Sequence, residues 1–159
     1  AIVRRTGINQ WRLYHALEKL AVFDELNQQT IEDNIELSPT ENIFQLFETA
    51  LKGDGITIRR MIQTLELTED AYQLFGLLSS QAFQLSVLAT TEKPSGEVAK
   101  DIGAHPFVLS KLSPYAKEFG RTGAKKIIAI FADADAAMKT SAGEPWLLVE
   151  RALLKIAAS

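Results

Sequence analysis

The chain has no cysteine, which excludes disulfides and cysteine-ligated metals and fits a reducing cytoplasm. It has no excess of positive charge: the net charge is −3, so no global signature of a nucleic-acid binder is present. Histidine is scarce. His15 reads as a partly buried packing residue beside an apolar helical stripe, and His105 as a structural helix cap; neither has a nucleophile at a recognisable spacing. There is no phosphate loop, because the nearest glycine cluster, Gly53-Asp54-Gly55, lacks the Lys and Ser/Thr that would follow. Asp133 and Asp135 are two apart on a helix, so they diverge and share neither a metal nor a proton. Catalytic, metal and cofactor residues are therefore all expected to be none. No stretch alternates apolar and polar residues over several positions, so no strand is expected. No internal repeat is present. The opening Ala-Ile-Val-Arg-Arg is no signal peptide, and with Ala at position 1 the chain reads as a piece of a longer protein.

Charge is also missing locally. Ala71 to Thr91 holds no Asp, Glu, Lys or Arg. Gln73, Ser79, Ser80, Gln81, Gln84 and Ser86 run through it, and a bilayer core penalises each of them. The stretch is expected to be the central helix of a soluble bundle, with neighbours on most sides.

What is there has helical period almost throughout, and the chain is expected to be all-α, a bundle of about nine helices. A first helix is expected from about Asn9 to Leu26, with Trp11, Leu13, Tyr14, Leu17, Leu20, Ala21 and Phe23 as its apolar stripe. Thr30 with Asp33 suggests a variant capping box opening a helix to Leu37. Ser38-Pro39-Thr40-Glu41 is a clearer start: Ser caps, Pro takes the first position and Glu reaches back. Gly53 to Gly55 separates that helix from one through Leu65, and Thr68 is expected to cap the uncharged helix. After a link over Gly120 to Gly123, Ala124 to Met138 forms a helix with Ile127, Ile128, Ile130, Phe131, Ala134 and Met138 inward. Pro145 starts the last one.

The stretch from Ser95 to Phe119 reads as two helices joined by a tight turn. Ser95 is expected to cap the first, Gly103 to end it in the left-handed conformation, and His105-Pro106 to begin the second. Ala99, Gly103 and Leu109 stand where a helix-turn-helix DNA reader carries a small residue, a turn glycine and an apolar residue. Yet Pro106 to Phe119 contains no Arg, Asn or Gln to read base edges. A DNA-binding regulator using residues 95–119 stands as the alternative reading.

Charge is uneven along the chain. Asp24 to Asp54 carries eight acids and one base, whereas Lys100 to Lys126 carries six bases and two acids. The asymmetry suggests two units, and sets the basic stretch as the part to lie near a phosphate backbone if any does.

Four stretches in order carry a resemblance. They are Gly7 to Phe23 with Glu18-Lys19-Leu20, Ser38 to Asp54, Gly96 to Phe119 with Gly103-Ala104-His105-Pro106-Phe107, and Phe131 to Ile156. Together they resemble the C-terminal half of the delta subunit of the bacterial DNA polymerase III clamp loader. The resemblance implies that residues 1–37 end a small AAA+-like helical lid and that residues 38–159 form a helical collar domain. The collar would join other loader subunits, the ATPase subunit and delta-prime, in a cytoplasmic ring of five that loads the sliding clamp on primed DNA during replication. It implies no ATP hydrolysis by this subunit, although the parent holoenzyme is a DNA-directed DNA polymerase, a transferase. The clamp itself would be met only through an N-terminal domain outside this sequence, and no membrane is involved. Phe107, Lys111 and Lys139 are the residues expected near the DNA.

Overall fold

The computed structural model describes residues 2–6, 10–23, 25–35 and 39–159. Those residues form nine helical elements and no strand: α1 Ile2–Thr6, α2 Gln10–Leu20, α3 Gln28–Asn34, α4 Pro39–Leu51, α5 Gly55–Leu65, α6 Ala71–Thr90, α7 Ser95–Ile102, α8 Pro106–Lys139 and α9 Pro145–Ala157. The fold is all-α, as the periodicity predicts. No helix among the described residues is long and apolar enough to cross a membrane. The chain divides into two compact units, residues 1–45 and 46–159, with the division falling inside α4.

In the first unit α2 packs on α3 through Ala16, Leu20, Ile31 and Ile35, with Ile2 of α1 against them. The stripe expected on α2 is only in part a core. Leu20 is buried, but Trp11 is 73% exposed, and Tyr14 and Leu17 are also exposed. His15 is exposed rather than partly buried; its ring stacks on Trp11 with centroids 5.8 Å apart and its Nδ1 lies 3.2 Å from Glu18. Helix α2 stops at Leu20, so Ala21 to Phe23, Glu25 and Leu26 are not helical. Asn27, not Thr30, caps α3, and its side chain accepts from the Thr30 N–H at 2.8 Å. An amide oxygen one turn ahead reaches a free N–H as well as a hydroxyl does. The expected Ser38 cap, Leu37 and the side chain of Glu41 lie outside the described residues.

The second unit is built on α6 and α8. α6 packs one side against α7, α8 and α9 and leaves the other, equally without charge, exposed. Its core side is Leu74, Phe75, Leu78, Ala82 and Leu85. Phe75 meets Phe131 of α8 with ring centroids 5.6 Å apart, and Phe47 of α4 meets the same ring at 6.2 Å. Asp70 replaces the expected Thr68 as cap, accepting from the Tyr72 and Gln73 N–H groups. A carboxylate there also answers the positive end of the helix dipole. Ser95 is the first residue of α7 rather than its cap; Pro94 precedes it and makes no side-chain cap bond. Gly103 ends α7 at φ 65°, as expected.

α8 holds the main departure from the expected layout. The link expected over Gly120 to Gly123 is a single-residue break: only Gly120 leaves helical geometry, at φ 56° and ψ −170°. That region is open almost only to glycine. The break divides α8 into two arms, each with its own core residues: Leu109, Leu112 and Ala116 before it, Ala124, Ile127, Phe131, Ala134 and Met138 after it. Gly123 is helical and required for a different reason, because a Cβ there would stand 2.8 Å from the Cβ of Phe119. Ile128, expected inward, is 37% exposed, since it lies a quarter-turn beyond the buried Ile127.

Candidate functional site

α8 carries most of the residues that the sequence singles out. His105 caps it: its Nδ1 accepts from the Phe107 N–H at 3.3 Å, while Pro106 takes the first position, where no N–H is needed. Phe107 is 49% exposed. One turn on, the Lys111 ammonium sits over its ring, 4.7 Å from the centroid, a cation–π contact. The fold thus brings Phe107 and Lys111 together. Lys139 is not part of that pair. It stands in the last turn of α8, and its Nζ meets Asp135 Oδ2 at 2.6 Å.

Beside Lys111 lies a polar cluster that no local pattern announces. The Tyr115 hydroxyl donates to Glu48 Oε1 of α4 at 2.6 Å, and Lys52 Nζ approaches the same oxygen at 3.0 Å. Burial works against ionisation of Glu48. The Tyr115 hydroxyl and the Lys52 ammonium outweigh it, with the Lys111 charge helping, and hold the carboxyl below its ordinary range. Burial and the Glu48 carboxylate push the Tyr115 phenol up. The Glu48–Lys52 half is visible in the sequence as an i, i+4 pair. Tyr115 is 67 residues away and had no signal.

The two-helix unit has the packing expected of it. Val98 and Ala99 of α7 close on Leu109 of α8, with Val87, Leu88, Ile102 and Ala104 around them. The exposed positions of the first arm after Phe107 are Ser110, Pro114, Lys117 and Glu118, which offer little to a base edge.

Elsewhere in this unit a groove of about 210 Å³ separates the second arm of α8 from α9. Ala134, Ala137, Leu148 and Ala152 line it, with Asp133 on one wall and Arg151 and Lys155 on the other. Among the described residues no three His, Asp or Glu side chains come together as metal ligands. This arrangement can hold helices together and present charge.

Three comparisons with known proteins bear on this geometry. No curated protein matches the chain. Among solved structures it is similar to the Bacillus subtilis DNA clamp loader delta protein (YqeN), with a TM-score of 0.82 at 19% identity over 99% of this chain. The match takes in 49% of that protein, so the chain spans about half its length. A family model, DNA polymerase III delta subunit, C-terminal domain, matches residues 40–156. With most of its length inside that match, the chain belongs to the family formed by the C-terminal domains of DNA polymerase III delta subunits.

Proposed function

We propose that this chain is the non-catalytic assembly part of a delta subunit, which joins the other subunits of a DNA clamp loader and so supports loading of the sliding clamp at primed DNA in the cytoplasm. The family match over residues 40–156 carries the reading. On it, residues 1–37 end an AAA+-like lid and residues 38–159 form the collar, which meets the ATPase and delta-prime subunits. Phe107, Lys111 and Lys139 are the residues that this reading places nearest DNA, with Lys139 exchanging Asp135 for a phosphate.

The surface of α6 supports a role in assembly. Its outward face bears Tyr72, Gly76, Leu77, Ser80 and Phe83 and no charge, although Tyr72 and Phe83 are each more than half exposed. Protein interfaces are depleted of charge at their centre and enriched in aromatic side chains. The test is size-exclusion chromatography of the chain with the ATPase and delta-prime subunits of the same loader. Co-elution without ATP is the expected result. Failure to co-elute with either would overturn the assembly role for these residues.

A further inference from the structure

We propose that the bend in α8 is a contact for the phosphate backbone of a nucleic-acid strand, made by Lys117, Arg121, Lys125 and Lys126. It rests on the delta-subunit reading only in taking nucleic acid, rather than another polyanion, as the ligand.

The second unit as a whole is neutral, with thirteen bases and thirteen acids over residues 46–159. Residues 117–126 depart from that balance, with four bases against Glu118 alone. All four are exposed. Among the described residues the side chains of these four take part in no ion pair or hydrogen bond, whereas Lys52, Arg59, Lys93 and Lys139 are each matched by a carboxylate. The other bases without such a partner, Arg60, Lys100, Arg151 and Lys155, are spread over α5, α7 and α9, whereas these four fall within ten residues and form the densest charge left to an external partner.

The bend holds the group in one place. Gly120 takes a conformation that other residues avoid, and Gly123 lets Phe119 lie across the break. Arg121 and Lys125 are one turn apart on one face of the second arm, about 6 Å along its axis, close to the spacing of neighbouring phosphates on a strand. The exposed neighbours are small or polar, Thr122, Ala129 and Ala132, with Ile128 only 37% exposed. A helix that lies on a membrane needs large apolar side chains beside its bases, and this one lacks them. No exposed aromatic, Asn or Gln stands among the four, so binding is to the backbone and indifferent to sequence.

The test is fluorescence anisotropy of the chain with a labelled 30-nucleotide single strand of scrambled sequence, titrated between about 50 and 200 mM salt. The bend variant carries Lys117→Gln, Arg121→Gln, Lys125→Gln and Lys126→Gln. A control with the same loss of charge carries Arg60→Gln, Lys100→Gln, Arg151→Gln and Lys155→Gln, all exposed in the structure. The expected result is a log–log salt slope near −3 for the parent chain, from roughly four phosphates at about −0.7 each. The bend variant should bind at least tenfold more weakly with a slope near zero, and the control within about threefold of the parent. Where the fourfold variant melts early, the Lys125→Gln/Lys126→Gln pair is read instead, with half the change in slope. Equal loss in the control, no binding by the parent at the lowest salt, or tighter binding to phosphatidylglycerol vesicles than to the strand would each overturn the proposal. The assay needs no other subunit, so its failure leaves the assembly reading standing, and failure to co-elute leaves this one.

Discussion

Replacing Tyr115 with Phe tests whether the α4–α8 contact is held by charge or by packing alone. The ring stays, and only the hydroxyl that donates to Glu48 Oε1 at 2.6 Å is lost. A hydrogen bond to an ionised acceptor contributes about 1.5–3 kcal/mol. Glu48 keeps its Lys52 partner, and its side chain is 30% exposed, so water can replace part of the lost bond. The loss should fall at or just under the low end, about 1–1.5 kcal/mol at pH 7. In a chain of this length that is a fall of about 2–6 °C in the melting midpoint. Urea unfolding followed by Trp146, half-buried on α9, reports the second unit; the exposed Trp11 changes little. The effect has a defined pH window. The folded-state pKa of Glu48 lies below its ordinary value of 4.5, so the unfolded chain takes up protons first as pH falls. The stabilisation is therefore complete above about pH 4.5 and is lost as pH drops through the folded value. Tyr115 gives the mirror case: its pKa is raised, so its contribution holds below its ordinary value and fades as pH rises through the folded one. A difference between parent and variant under about 0.3 kcal/mol at pH 7, or one that does not shrink by pH 3.5, would refute the assignment.

Two further substitutions probe the second unit. Leu78→Ala on α6 empties a site with no exposed surface and should cost about 3–4 kcal/mol in urea unfolding; a loss under about 1 kcal/mol would mean that α6 is not the centre of this core. Gly120→Ala should cost about 1–3 kcal/mol, since the alternative, a straight α8 gaining about 1 kcal/mol of helix propensity, would pull one buried arm out of register; a stabilised variant with raised helical circular dichroism would show the bend to be dispensable.

Much of the fold was legible because helices are local objects. The period of Ile43, Leu46, Phe47 and Ala50, or of Ile127, Phe131, Ala134 and Met138, is set by hydrogen bonds four residues apart and can be read in a single turn. Pro39, Pro106 and Pro145 open helices as their fixed φ predicts, and Gly103 closes one. Caps were harder. Thr30, Thr68 and Ser95 stood close to better or earlier starts at Asn27, Asp70 and Pro94, and neighbouring hydroxyls and carboxylates compete within one turn.

The sequence by itself determined the all-α class, the order of the helices and the uncharged run that became α6, because apolar spacing and turn chemistry act within a few residues. The tertiary structure alone decided the rest. It exposed Trp11 and Tyr14 on a stripe that looked like core, turned a four-residue link into one break at Gly120, and set Tyr115 against Glu48. It also separated the paired lysines from the unpaired ones. Each of these depends on which helix faces lie against each other, and residues dozens of positions apart meet only when whole helices pack.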